Sequence, residues 1–320
     1  TGPGATLGTT VLSGAGTLNV STSTASTASS LTLGGIRAGT GTLDVSGAMS
    51  WSGGRLGGGI TNANGGLTIS GALDKELFGG TLNVNSAATW TGTGNIVYSS
   101  SNPLLSIAAS GTFDIQTDAD FSGNGGAAFM TINNAGTFQK SAGAGTTEVG
   151  FALSFNNTGA VDVQTGTLVV RGSGTSSGSF DSTGATLIFN PSVGSETITL
   201  TAAASFTGGT VTFSGVSGTT VNHAGSYAVG TTNVNSGTVN FTGAGATLGA
   251  LTVSGNAFFN VSTSSASSAA SLTLSNITLG GSGTLDVSGT TTWTGGTMGG
   301  SGVTNANGPL IFSGTGGKGL

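Results

Sequence analysis

Hydrophobic and polar positions alternate along this chain in short runs, and most runs are followed by glycine. Triplets of Gly, Thr and an apolar residue recur, many of them 25 to 31 positions apart, beginning at Gly16, Gly41, Gly80, Gly111, Gly136, Gly166, Gly209, Gly237 and Gly283. A two-residue alternation is typical of a β-strand with one buried face. Because the pattern returns at intervals of roughly 20 to 30 residues, it indicates a solenoid in which each turn of chain stacks on the previous one.

A second pattern has fixed internal spacing: an apolar pair at i and i+2, five further residues, an aromatic residue, Ser or Thr, and Gly. The apolar pair shares one face of a strand, so it points inward, and we expect the aromatic residue to fill the same core after a bend. Three Trp could instead form a ligand platform, but Phe replaces Trp at two of the five sites, which favours core packing. The pattern occurs at Leu43/Val45/Trp51, Leu82/Val84/Trp90, Phe113/Ile115/Phe121, Ile198/Leu200/Phe206 and Leu285/Val287/Trp293.

Helix signals are almost absent, and only residues 72–78 could form a short helical turn. The sequence therefore predicts an all-β fold, a right-handed parallel β-helix (β-solenoid) that is continuous over residues 1–320. We expect roughly 12 coils of 20 to 30 residues, and at about 4.8 Å per coil such a stack is on the order of 6 nm long. A sandwich of antiparallel hairpins with Gly-rich turns is the alternative, and it explains the recurrence less well.

The beginning of the chain returns at its end. GTLDVSG at 41–47 recurs at 283–289, and Thr61-Asn62-Ala63-Asn64-Gly65 recurs at 304–308. Positions 1–79 are thus equivalent to positions 242–320, which defines a long tandem repeat of about 242 residues. We expect the chain to be a segment of a longer array of such repeats.

Composition excludes several functional classes. Charged residues make up 5% of the chain, its net charge is −5, and six basic residues spread over 320 positions form no basic stripe, so we expect no nucleic-acid partner. No apolar run is long enough for a membrane span. Cysteine is absent, which rules out a disulfide framework. Abundant β-branched residues and few charges also distinguish the chain from disordered Gly/Ser-rich segments.

Three residues, Asp118, Asp120 and Asn124, imitate the opening of a calcium-binding loop. The imitation fails at position 12 of such a loop, where Phe129 stands in place of the bidentate Glu. We therefore expect no metal or other cofactor, and keep calcium at these residues as a minority hypothesis. His223, the one histidine, lies in a polar segment and is expected to be a solvated turn residue without a role.

The acidic residues do not suggest a catalytic centre. Asp44, Asp162 and Asp286 each precede Val at the same place in a strand pattern, which indicates a recurring outward polar position. The Gly-rich stretch 57–59 has no following Lys and opens no helix, so it does not suggest a phosphate loop. No catalytic or cofactor-binding residue is predicted, and we expect no enzymatic activity.

The segments GTLDVSG, SWSGG (50–54), TWTGG (292–296) and SGTVNFTGAGATLG (236–249) resemble repeats of large secreted bacterial proteins. These are autotransporter-passenger-like and filamentous-haemagglutinin-like β-solenoids, and the resemblance covers essentially the whole chain. It implies a long rod that projects from the cell surface and adheres, spaces other domains or builds extracellular matrix.

The expected function is therefore that of a structural rod segment of an extracellular bacterial surface fibre, filament or adhesin. Its expected partners are other copies associating end to end or further repeats of the same chain, together with cell-surface or glycan ligands. A carbohydrate-binding or carbohydrate-cleaving β-helix is the alternative. An ice-binding protein is a third, but it needs Thr-x-Thr on one face of every coil, and in the sequence the Thr clusters are scattered.

Overall fold

The computed structural model describes residues 2–99, 101–123 and 129–320, and over these residues the chain is an all-β parallel β-solenoid of about 15 turns without a helix. The predicted fold class is confirmed. Coil length varies, since the step from Leu31 to its partner Met49 is shorter than the step from Ala87 to its partner Thr112. The antiparallel alternative is wrong, because the strands of the described residues pair in parallel.

The chain divides into two compact units, Thr1–Gly166 (unit 1) and Thr167–Leu320 (unit 2). Within each unit every coil crosses three parallel sheets, named here face A, face B and face C. Continuity of a single stack over residues 1–320 and the right-handed sense of the coils stay predictions.

In unit 1 each strand of a face pairs with the strand three further along the chain. Face A consists of β1 Thr9–Leu12, β4 Ser30–Leu33, β7 Met49–Trp51, β10 Leu67–Ile69, β13 Ala87–Trp90, β16 Thr112–Ile115, β19 Thr137–Lys140 and β22 Ala160–Val163. Face B consists of β2 Thr17–Asn19, β5 Ile36–Ala38, β8 Gly54–Gly57, β11 Lys75–Phe78, β14 Ile96–Tyr98, β17 Phe121–Gly123 and β20 Thr146–Val149. Face C consists of β3 Ser26–Ala28, β6 Thr42–Val45, β9 Ile60–Ala63, β12 Thr81–Val84, β15 Leu104–Ile107, β18 Met130–Asn134 and β21 Leu153–Asn157.

In unit 2 three long strands bend through corners and belong to more than one face: β28 Ser205–Ser214 (faces C and A), β30 Ser226–Phe241 (C, A and B) and β31 Ala250–Val261 (A and B). The remaining strands of face A are β23 Thr167–Val170, β26 Thr186–Phe189, β33 Ser271–Leu274, β36 Thr291–Trp293 and β39 Leu310–Phe312. Those of face B are β24 Gly174–Ser176, β27 Thr197–Leu200, β29 Thr220–His223, β34 Ile277–Gly280, β37 Gly296–Met298 and β40 Lys318–Gly319. Those of face C are β25 Ser179–Asp181, β32 Ser267–Ala269, β35 Thr284–Val287 and β38 Val303–Ala306.

Alternation within each strand builds the core. In β6, Leu43 and Val45 are fully buried, whereas Thr42 and Asp44 are half-buried and face outward. Parallel, in-register pairing then places like side chains above one another, so inward residues form apolar columns such as Leu33, Trp51, Ile69, Trp90 and Ile115 on face A of unit 1. Columns of β-branched and aromatic residues suit a pleated, half-buried surface, which is why this composition folds as stacked strands.

All five aromatic residues of the second sequence pattern are buried: Trp51, Trp90, Phe121, Phe206 and Trp293. They are not all on one face. In unit 1, Trp51 and Trp90 lie on face A and Phe121 lies on face B; in unit 2, Trp293 lies on face A and Phe206 lies on face C. The five-residue spacer forms the corner between consecutive strands, and the same pattern occurs at different corners of the coil.

Glycine is required where a corner passes directly over the corner of the neighbouring coil. At Gly80 the backbone has φ of 71°, and an added Cβ would lie 1.5 Å from the carbonyl oxygen of Gly58. No side chain fits there, and the left-handed φ is itself costly for any other residue. The expected helical turn at 72–78 is wrong, because Lys75–Phe78 forms strand β11, held between β8 and β14.

The two copies of the repeat form equivalent strands, each within its own unit. Residues 9–12 and 250–253 each form a face A strand of their unit, and residues 60–63 and 303–306 each form a face C strand. Side-chain contacts recur as well: the hydroxyls of Thr22 and Ser26 are 3.1 Å apart, and those of Thr263 and Ser267 are 3.0 Å apart. The equivalence seen in the sequence therefore extends to individual hydrogen bonds.

Candidate functional site

Outward amide side chains connect successive coils in ladders. On face C of unit 1, Asn83 Nδ2 donates to Asn62 Oδ1, and Asn62 Nδ2 donates to Asp44 Oδ1, both at 2.6 Å. In the second copy Asn305 Nδ2 donates to Asp286 Oδ1 at 2.7 Å. Asp44 and Asp286 thus occupy an outward position, and each carboxylate accepts a hydrogen bond from the next coil. Asp162 is outward too, but on face A, where Gln164 Nε2 donates to it at 2.7 Å.

A second ladder runs along one corner of unit 1. Asp74 Oδ1 accepts the backbone N–H of Asn95 at 2.9 Å, Asn95 Oδ1 accepts that of Asp120 at 3.0 Å, and Asp120 Oδ1 accepts that of Glu148 at 2.7 Å. Each side chain therefore binds a backbone donor in the following coil. Asp74, Asn95 and Asp120 therefore each have a structural role in this ladder.

The residues of the calcium hypothesis have other partners. Asp118 Oδ1 accepts a hydrogen bond from Lys140 Nζ at 2.8 Å, and this bond holds the pKa of the Asp118 carboxyl below its usual range. Asp120 belongs to the corner ladder. Asn124 lies outside the described residues. Within 2–99, 101–123 and 129–320, no group of three or more His, Cys, Asp or Glu side chains could hold a metal ion.

Three of the six basic residues point into the solenoid. Arg37 is fully buried, and its two Nη atoms donate to the carbonyl oxygens of Gly39, Gly41, Gly57 and Ile60. Burial lowers the pKa of Arg37 to about 10, so the guanidinium stays charged at neutral pH. In the second copy Leu279 takes the same place in the strand pairing, next to a cavity of about 150 Å³.

Lys75 and Lys140 are also fully buried. Lys75 Nζ donates to the carbonyl oxygen of Gly71 at 2.9 Å, and burial lowers its pKa. Lys140 Nζ donates to the carbonyl oxygens of Thr117 at 2.7 Å and Ala142 at 3.2 Å, besides Asp118. Buried cations need such partners, since an unpaired charge in an apolar interior is very costly.

The prediction for His223 is wrong. Its side chain is inward on face B and 1% exposed, and its ring lies 4.8 Å from that of Phe241, 5.2 Å from that of Phe206 and 5.3 Å from that of Tyr227. Nε2 has no hydrogen-bond partner in the described structure. Burial lowers the pKa of His223 to about 4, because the charged imidazolium would lose its hydration there.

Sequence reasoning missed these inward polar residues, although a two-residue period could have found two of them. His223 lies two residues after the inward Val221 in β29, and Lys140 lies two residues after the inward Phe138 in β19. The polarity of His223 and the charge of Lys140 suggest outward side chains, but the two-residue alternation correctly indicates that both point inward.

The threonines that look scattered in the sequence come together on face A of unit 2. Thr212, Asn233, Thr252, Thr273 and Thr292 form one outward column. In the neighbouring outward column, Ala250 pairs with Thr231 and interrupts the run of threonines. The column is continuous, but a Thr-x-Thr pair at every coil is not formed.

Each unit carries a groove on the outside of face B. In unit 1 it has a volume of about 680 Å³ and a charged lining of Arg55, Asp74 and Glu76. Arg55 Nε donates to Glu76 Oε2 at 2.8 Å, and its guanidinium lies 4.2 Å from the ring centre of Phe78. In unit 2 the groove has a volume of about 400 Å³ and a neutral lining, Asn256, Ala257, Phe258, Asn276, Ile277, Thr278, Gly296 and Gly317.

No family model matches the chain, and neither a curated protein nor a solved structure matches it. Among the described residues, no helix has the length and apolar character needed to cross a membrane.

Proposed function

We propose that this chain is a non-enzymatic structural segment of an extracellular bacterial surface fibre, filament or adhesin. The observation that carries the proposal is repetition: the described residues of 1–79 and 242–320 form equivalent coils, with an equivalent Asn–Asp hydrogen bond between coils and an equivalent Thr–Ser hydrogen bond within a coil. A fold in which each coil contacts only its neighbours can be lengthened by adding coils without redesigning its core. Reach and stiffness then follow from the number of coils.

The interior and the surface of each unit both support a load-bearing role. Backbone hydrogen bonds join each strand to the coils on either side, and the inward columns of a unit form a core shared by successive coils. Asn and Asp ladders add side-chain bonds along the same direction, and in unit 1 buried Arg37, Lys75 and Lys140 tie corners of consecutive coils together. Each coil is therefore held to its neighbours by backbone bonds in three sheets and by side-chain ladders.

The edge of strand β39 supports association with a further coil of the same kind. Leu310 is 47% exposed and Phe312 is 61% exposed, whereas their equivalents in the first copy, Leu67 and Ile69, are buried beneath β13. An exposed apolar strand edge pairs readily with another strand. We propose that a second copy of the chain pairs with this edge.

Cryo-electron microscopy of the native full-length protein tests the structural role. We expect a rod or filament with an axial spacing of about 4.8 Å between strands. A discrete globular particle without this axial repeat would refute the proposal.

Sedimentation velocity over a range of concentrations tests the association of this chain. We expect reversible growth into larger species, and we expect Phe312→Lys to weaken it because the substitution places a charge on the β39 edge. Phe151→Lys, a change at another exposed Phe, should leave association unchanged. A monomer at every concentration would exclude association through β39.

A further inference from the structure

The groove on face B of unit 2 contains an aromatic side chain where the fold does not require one. Phe258 is 53% exposed and lies in an outward column otherwise formed by Thr238, Thr278 and Thr297. A single exposed apolar residue is common on protein surfaces and means little by itself. The side chains around Phe258 give it significance.

An amide ladder ends beside Phe258. Asn240 Nδ2 donates to Asn222 Oδ1, and Asn260 Nδ2 donates to Asn240 Oδ1, both at 2.8 Å. All donors point the same way, so each bond polarises the next and the last acceptor is strengthened. That acceptor, Asn260 Oδ1, receives no hydrogen bond within the described part of unit 2. It lies over Gly280, where an added Cβ would be 2.7 Å from it.

Two further amides flank the aromatic ring. Asn256 and Asn276 are exposed and line the groove, and neither side chain has a hydrogen-bond partner among the described residues. Asn276 has φ of 53°, a conformation in which glycine would carry no strain. An asparagine at such a position adds an amide to the groove at a cost in backbone energy.

The first copy of the repeat provides an internal comparison. The positions of Asn256 and Phe258 are occupied there by Ala15 and Thr17. Asn276 lies two residues after face A strand β33, and the residue two positions after the equivalent strand β4 is Gly35. The same coils therefore form without the aromatic ring and without either amide. These side chains are additions to the scaffold, placed together in one concave surface.

We propose that this groove binds a neutral saccharide. The apolar C–H face of a pyranose ring would lie on the Phe258 ring, and sugar hydroxyls would pair with the amides of Asn256 and Asn276, which line the groove. Asn260 Oδ1, next to the groove and two residues from Phe258 on the same outward side of β31, would accept a further sugar hydroxyl. Neutral sugars are favoured because the lining of the groove has no charged side chain. A groove with one aromatic surface and a few convergent polar groups is a common form of small-ligand site. The inference goes beyond the structural role and does not depend on it.

Titration of the full-length chain with cello-, malto-, chito- and xylotetraose tests the proposal, with side-chain amide shifts in ¹H–¹⁵N NMR as the readout. We expect at least one of these sugars to bind with a dissociation constant on the order of 0.1 to 1 mM, shifting the Asn260 and Asn276 amide signals. Heparin, as an anionic comparison, should not shift them.

Variants taken from the first copy separate binding from folding. Phe258→Thr and Asn276→Gly should each weaken binding by about tenfold or more while leaving the remaining spectrum intact. Phe151→Thr, the same type of change at an exposed Phe of unit 1, should bind as the native chain does. Absence of binding by all four sugars at about 10 mM would overturn the proposal, as would equal binding by Phe258→Thr. Binding of heparin through the same amides would also overturn it, in favour of an anion site.

Discussion

Acidification should destabilise unit 2 through His223, the one histidine of the chain. In the folded protein its pKa is lowered from 6.5 to about 4, because the ring is buried among Phe206, Tyr227 and Phe241. The unfolded chain therefore binds a proton that the folded chain does not between these two values. Stability from this group is complete above pH 6.5, falls as the pH falls towards 4, and falls no further below that value.

The size of the effect follows from the shift. A difference of about 2.5 pKa units is worth about 3 kcal/mol when complete, and about 2.5 kcal/mol is already lost at pH 4.5. Desolvation is the cause of the shift, and we expect this loss of about 2.5 kcal/mol at pH 4.5 to appear as a lower free energy of unfolding.

Two measurements check the reasoning. With one histidine in the chain, its ring signal in an NMR titration is unambiguous and should have a midpoint near 4. In urea unfolding, His223→Phe should be more stable than the native chain at pH 4.5 and similar to it at pH 7.5. Phe is a matched replacement because Phe241 occupies the next position of the same inward column. A titration midpoint near 6.5, or equal acid sensitivity of both proteins, would refute the argument.

Two further predictions concern corners of the solenoid, and both are measured as shifts in urea-unfolding midpoints. Arg37→Ala should cost about 3 kcal/mol, since it removes four hydrogen bonds to carbonyl oxygens together with a buried side chain. Arg37→Leu should cost about half as much, because Leu279 holds that place in the second copy; equal losses would contradict this. Gly249→Ala should lower the free energy of unfolding by about 3 kcal/mol or more, since the added Cβ would lie 2.0 Å from Gly230 O. Gly184→Ala should lower it by about 1 kcal/mol, because Gly184 has a similar positive φ but open space around it. Similar costs at the two glycines would show that φ, and not the stacked coil, sets the penalty.

The sequence allowed the fold class to be predicted because two local signals agreed. Alternation in strands such as Thr42–Val45 and the glycines between strands both recur with the period of a coil, and the parallel stack is their common consequence. The fixed spacing between the apolar pair and the aromatic residue also predicted the burial of Trp51 and Trp90.

Features that depend on neighbouring coils were not accessible in this way. Which corner a motif occupies is decided by coil lengths, and because these lengths vary along the chain, Phe121 and Phe206 could not be assigned to a face. The partners of Arg37 come from its own coil and the next, and no short sequence window contains both. The groove around Phe258 likewise combines residues from several coils, and only the stacking register brings Asn256 and Asn276 to the same surface.

Burial of Arg37, Lys75 and Lys140 has a consequence for the resistance of the protein to proteolysis. Proteases of the trypsin type cut after Arg or Lys and need that side chain in their specificity pocket, with the backbone around it extended and free. The chain offers six such positions in 320 residues, and three of them are sealed in the core with the surrounding backbone bonded to adjacent coils. The interior cations that tie corners together therefore also withdraw half of the tryptic cleavage sites from attack, which favours survival in a protease-rich environment without any disulfide bond.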